Sequence, residues 1–116
     1  MIIAIPCTAD GSLAPSFGKA PNMAVATTDD NTITDWQVYP VQWDVQHDVG
    51  EHGQHHARVV RFLVDHSVRH VVIGHMGPPM VNTITKMGIG IIPAPSTNAK
   101  EAVQLALNSL LAADQS

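Results

Sequence analysis

Two stretches of this sequence carry side chains suited to binding chemistry, and a third residue stands alone. Gly74-His75-Met76-Gly77-Pro78-Pro79-Met80 sets one imidazole and two thioethers side by side. Thioether and imidazole suit copper(I), and soft thioether surfaces also suit contact with sulfide. His52, His55 and His56 are spaced as residues on adjacent helical turns, with Asp48 and Glu51 close by. Imidazole with carboxylate ligates zinc, copper or nickel. Cys7 is the lone thiol, and nothing near it in sequence lowers its pKa, so it reads as a small hydrophobe.

Each candidate has a plainer role. Methionine near a helix start is usually core, and polar histidines there are usually just solvated. Pro78 suits a first helical turn, where its missing N–H costs nothing. His66 and His70 read as structural residues at a helix end and a strand start. His75, between Gly74 and Gly77, is as consistent with a ligand contact as with a structural role.

The elements that must position these residues follow from periodicity. Val71-Val72-Ile73 is a β-branched run that breaks at Gly74, so His75 lies at the carboxyl end of a buried strand. Open α/β sheets bind ligands there. Upstream, Ile2–Ile5 is a strand stopped by Pro6, and Cys7–Ser12 is a loop. Met23–Thr27 and Thr32–Tyr39 form a hairpin around the turn residues Thr28–Asn31, with the latter strand suited to a sheet edge. Val41–Gly53 has no sustained period and reads as a long loop holding Trp43, Asp44, His47, Asp48, Glu51 and His52.

The apolar stripe Val59, Val60, Leu63 and Val64 predicts a helix over Gln54–His66, with Gly53 interrupting it on the His52 side. Met80, Val81, Ile84 and Met87 predict a helix ended by Gly88, and Ile89–Ile92 a fifth strand. Asn98 and Glu101 are placed as a capping box before a last helix carrying Val103, Ala106, Leu107, Leu110 and Leu111. A meander followed by parallel crossover units makes this an α/β fold with a mixed sheet flanked by helices. The turns at Gly53-Gln54 and Gly77-Pro78 then fall at one sheet edge. Helix amino termini there would offer unpaired N–H groups and partial positive charge to an anion.

Composition narrows the function. A chain of 116 residues, 14% charged, is expected to be one domain spanning 1–116. Six Lys and Arg against a net charge of −4 exclude a nucleic-acid surface. Ile2–Ile5 is too short for a signal peptide and no run reaches membrane-spanning length, so a cytoplasmic protein without a membrane partner is expected, in keeping with a single cysteine. The predicted strand ends show Pro6-Cys7, Gly74-His75 and Pro93-Ala94, with Asp10 the one acid nearby. That disfavours a two-metal nuclease, and neither a phosphate-binding loop nor a dinucleotide fingerprint is present. The expectation is a protein that is not an enzyme.

The ordered set Ile3-Ala4-Ile5-Pro6, Phe17-Gly18, Gly53 before the central helix, Gly74-His75-Met76-Gly77-Pro78 and Met87-Gly88-Ile89 spans nearly the whole chain. In this order the chain resembles the dinitrogenase iron-molybdenum cofactor biosynthesis family, small carriers and accessory proteins for metal–sulfur clusters. The resemblance implies a three-layer ribonuclease H-like fold, a mixed five-stranded sheet with the second strand antiparallel, and helices on both faces. It also implies an anionic cluster held between loops, with cluster donor or acceptor proteins as partners. The run Pro6-Cys7-Thr8-Ala9-Asp10-Gly11 is similar to the orange-protein branch. For that branch the cargo is a molybdenum–copper sulfide cluster bound without covalent attachment; the alternative cargo is an iron–molybdenum–sulfur cluster.

Taken with the residue chemistry, the candidate cofactor-binding set is Ser16, Phe17, Gly18, Lys19, Gly53, His55, His56, Arg58, Gly74, His75, Met76 and Gly77, with His52, His55 and His75 as candidate metal ligands. One position departs from the family pattern, which reads histidine-phenylalanine-glycine where this chain has Ser16-Phe17-Gly18. A serine there excludes a direct imidazole bond. Either another histidine compensates, or binding relies on charge and hydrogen bonds, or the domain is a cofactor-free interaction or regulatory module.

Overall fold

The structure is a computed structural model that describes residues 1–46 and 52–115. Its strands are β1 (Ile2–Cys7), β2 (Asn22–Asp29), β3 (Thr32–Tyr39), β4 (His70–Ile73) and β5 (Gly90–Pro93). Its α-helices are α1 (Trp43–Gln46), α2 (His52–Asp65), α3 (Pro78–Lys86) and α4 (Ala99–Gln115), and Phe17–Lys19 forms one 3₁₀ turn. The strands make one five-stranded sheet in the order β3-β2-β1-β4-β5. β2 runs antiparallel to both its neighbours, while β1, β4 and β5 are mutually parallel.

Alternation along the central strands divides the core into two layers. Ala4 and Val71 face the cluster of Val59, Leu63, Met80 and Ile84 from α2 and α3. Ile3, Ile5 and Val72 face the cluster of Ala102, Val103 and Leu107 from α4. A period of two sends successive residues to opposite faces, so one short apolar strand supports both layers. The α/β class, the mixed five-stranded sheet and helices on both faces agree with the sequence expectation. β3 is an edge strand whose residues are all exposed or half-buried.

Pro6 does not end β1; it stays in the strand opposite Met23. Ladder pairs between β1 and β4 stop at Ala4 and Val71, so a residue without an N–H is tolerated beyond them. The Pro6 carbonyl accepts from the Ala14 N–H at 3.0 Å and leads the loop back along the strand.

The long loop expected over Val41–Gly53 is broken by structure. α1 occupies Trp43–Gln46, and α2 begins at His52, so Gly53 lies in its first turn instead of interrupting it. His47, Asp48 and Glu51 lie outside the described residues. Tertiary hydrogen bonds explain what periodicity missed: the Gln42 and Trp43 N–H groups donate to the Pro21 and Ala20 carbonyls, both at 2.9 Å, and Trp43 is buried. Four residues are too few for a helical period to be read.

Helix ends follow local chemistry. Gly88, at φ +78°, closes α3 in the left-handed conformation. Asn98 Oδ1 accepts from the Glu101 N–H at 2.9 Å and caps α4. Among the described residues, no helix is long and apolar enough to cross a membrane.

Candidate functional site

The site is built where the loop after β1 is pinned to the end of β4. The His75 N–H donates to the Pro15 carbonyl and the Phe17 N–H to the His75 carbonyl, both at 2.9 Å, giving a parallel bridge between Ser16 and His75. Close backbone approach here requires Gly74. A Cβ on it would lie 3.1 Å from the Pro15 oxygen and 3.3 Å from Leu13 Cδ2. Phe17 then turns inward, fully buried, with its ring 5.9 Å from that of Trp43. It anchors the loop in the core and presents no surface to a ligand.

Between this loop and the starts of α2 and α3 lies a cleft of about 480 Å³, lined by Ser16, Gly18, Lys19, His55, His56, His75, Met76, Gly77, Pro79 and Met80. The cleft stands at the carboxyl ends of the parallel strands, as the pattern around Ile73-Gly74 predicts. Among the described lining residues none is acidic, and the basic side chains are Lys19, His55, His56 and His75. Met76 and Met80 are buried at its wall and also belong to the core.

His55 is buried and clamped. Its Nε2–H donates to the Gly18 carbonyl at 2.7 Å, its Nδ1 accepts from Arg58 Nη1 at 3.2 Å, and the Trp43 ring stands edge-on to it at 6.2 Å. A guanidinium only donates, so Nδ1 must hold a lone pair and the proton sits on Nε2. Both ring nitrogens are thus engaged in the neutral imidazole. His55 offers no lone pair to a metal, contrary to its expected role as a ligand, because the fold spends both nitrogens joining α2 to the loop.

Arg58 is absent from the cleft wall. It touches His55 and borders a shallow hollow of about 450 Å³ on α2 with Gln54, Ala57 and Arg61. Gly53 lies in the first turn of α2, and Gly74 lies under the Leu13–Pro15 segment and does not line the cleft. His52 opens α2. Among the described residues, no group of three His, Cys, Asp or Glu side chains is disposed to hold a metal ion.

The expected anion site at the start of α3 is also altered. Pro78 and Pro79 occupy its first positions and have no N–H, while the Met80 and Val81 N–H groups both donate to the Gly77 carbonyl at 3.1 Å. The helix start therefore has no free backbone donor. Among the described residues, the N–H groups of Met76 and Gly77 just before it donate to no acceptor, and both residues line the cleft.

Other candidates fall elsewhere. Cys7 is buried in the α4-side core; burial pushes its thiol pKa up, against a hydrogen bond with the Ala24 backbone. His66 packs its ring against Tyr39 and Phe62 at 4.5 and 4.4 Å. Pro79 and Met80, outside the implied binding set, do line the cleft. The thioether of Met80 was visible in the sequence, but its helical spacing marked it equally as core.

The family model for the dinitrogenase iron-molybdenum cofactor matches residues 1–109. The chain belongs to that family. Solved structures agree in fold at low identity. PH0822 superposes with a TM-score of 0.74 at 17% identity, covering 94% of this chain and 90% of that one. A proposed dinitrogenase of Methanocaldococcus jannaschii gives 0.70 at 16%, covering 94% and 89%. A proposed NifB protein of Thermotoga gives 0.69 at 18%, covering 95% and 89%. No curated protein sequence matches the chain. Membership links the chain to iron–molybdenum cofactor biosynthesis.

Proposed function

We propose that this family member binds an anionic, molybdenum-containing metal–sulfur cluster noncovalently in the cleft, for storage or transfer and without catalysing a reaction on it. The cleft lining carries the reading: it combines Lys19, two imidazoles free of the His55 clamp and two thioethers, with no carboxylate. Thiometallate clusters are polyanions with large, soft, weakly hydrated sulfide faces. Cationic groups, the Met76 and Gly77 N–H groups and the methionine surfaces suit such a cargo. A cluster whose metals are already saturated by sulfide needs no three-donor protein site.

Within this reading the cargo is a molybdenum–copper sulfide cluster, with an iron–molybdenum–sulfur cluster as the alternative. The protein would act in the cytoplasm, between cluster donor and acceptor proteins. Charge-based holding weakens with salt. The test is anaerobic incubation with tetrathiomolybdate and copper(I), followed by gel filtration, visible spectroscopy and metal analysis. Co-elution of molybdenum, copper and colour with the protein supports the reading, and a colourless, metal-free protein refutes it. Binding unchanged from low to high salt would refute the electrostatic mode alone.

Ser16 favours a second reading, a cofactor-free interaction or regulatory module of the same fold. Failure to take up either cluster type, together with capture of a protein partner, would establish it.

A further inference from the structure

We infer that Arg58 is a positioning residue for the cleft: by donating to His55 Nδ1 it fixes the imidazole as the Nε2–H tautomer, and that proton holds the Gly18 carbonyl and the loop bearing Lys19. The inference rests on the cluster-binding reading for its functional consequence, and on the two hydrogen bonds for its geometry.

The chain of cause is short. His55 Nε2 lies 2.7 Å from the Gly18 oxygen, a contact that is attractive only when Nε2 carries the proton. Without Arg58 the Gly18 carbonyl alone favours the Nε2–H form, and the Nδ1–H form, which would set a nitrogen lone pair against a carbonyl lone pair, becomes accessible whenever that bond opens. Arg58 Nη1 at 3.2 Å from Nδ1 excludes that form, because two donors cannot share the contact. Gly18 is the middle residue of the Phe17–Lys19 turn, and both Gly18 and Lys19 line the cleft. Phe17 and Ala20, both fully buried, anchor the two ends of the turn, and the hydrogen bond at the Gly18 carbonyl sets the orientation of the peptide that carries Lys19 between them. Arg58 therefore governs the cleft wall from outside the cleft.

This role differs from direct attraction of an anion by a cation. A contact role needs the positive charge alone; a tautomer-fixing role needs a donor aimed at Nδ1 and needs an imidazole to act upon. In His55→Gln the amide NH₂ takes the place of Nε2–H, and there is no tautomer left to fix. The substitutions thus separate the two roles.

The test uses the full chain. ¹⁵N NMR of the histidine rings reads the tautomer of His55 in wild type, Arg58→Met and Arg58→Lys, and tetrathiomolybdate with copper(I) serves as the binding probe. Wild type is expected to show the pure Nε2–H form and Arg58→Met a mixture, with Arg58→Lys between them. Probe affinity is expected to fall several-fold in Arg58→Met, and that loss should largely vanish when Arg58→Met is made in the His55→Gln background. A pure Nε2–H tautomer in Arg58→Met overturns the inference while leaving the cluster reading intact, as does an equal loss of affinity in both backgrounds. If wild type does not bind the probe, the cluster reading falls, and a tautomer shift would then confine the role of Arg58 to loop geometry.

Discussion

The Nε2–H of His55 reaches the carbonyl oxygen of Gly18 across 2.7 Å, and this single bond joins the first turns of α2 to the 3₁₀ turn on the opposite wall of the cleft. The two residues are 37 positions apart, so the bond spans the β2–β3 hairpin and α1. It converts a histidine suited by sequence to metal ligation into part of the frame.

Replacing His55 should therefore act on the frame before any cargo is present. His55→Ala removes a buried donor and is expected to cost about 1–3 kcal/mol. His55→Gln should restore most of it. Urea denaturation measures both, and equal destabilisation by Ala and Gln would contradict the role given to Nε2–H.

Lys19 is expected to work through charge alone, since it is exposed at the cleft wall. Lys19→Gln should weaken cluster binding by about 1 kcal/mol, roughly five-fold, at low salt, and by less as screening rises. Titrating the tetrathiomolybdate–copper probe at two ionic strengths checks this. A loss that does not shrink with salt would assign Lys19 a different role.

Gly90 supports β4 by having no side chain. A Cβ there would lie 2.5 Å from Cδ2 of the His70 ring, a distance that forces the ring or the strand to move. Gly90→Ala is expected to destabilise the fold by about 1–3 kcal/mol through overpacking, visible as a lowered melting temperature. Alanine at Gly11, where no atom lies within 4 Å of a Cβ, meets no such contact, and only its φ of +88° opposes it.

Cys7 gives the chain a pH dependence of known sign. Burial raises its thiol pKa above the ordinary value. The unfolded chain ionises first as pH rises, and the folded chain then binds the extra proton, so stability falls from roughly pH 8.5 upward. Relative to Cys7→Ala, wild type should lose up to about 1.4 kcal/mol per pH unit above that point. Parallel stability curves for the two proteins between pH 7 and 10 would show the thiol to be unperturbed.

Much of the fold was legible because it rests on local rules. β-branched runs mark β1, β4 and β5, although Pro6 and Pro93 stay within their strands, helical spacing defines α2, α3 and α4, and Asn98 with Glu101 marks the last helix start. The same patterns placed Gly74–Met80 at the carboxyl edge of the sheet, and the cleft is there. α1 escaped because its four residues are held by bonds to Pro21 and Ala20, which no local period records.

By itself the sequence determined the alternation of elements, the sheet edge that carries the chemistry, and the residue types available there, because apolar periodicity and turn chemistry act over a few neighbouring residues. Tertiary structure alone decided what each of those residues does. Phe17 went inward as an anchor, Arg58 stood outside the cleft, His55 gave both nitrogens to the frame, and His56 and His75 remained at the cleft. Hydrogen-bond partners distant in the chain consume or spare a side chain's lone pairs, and those partners exist only once the sheet has brought the loops together.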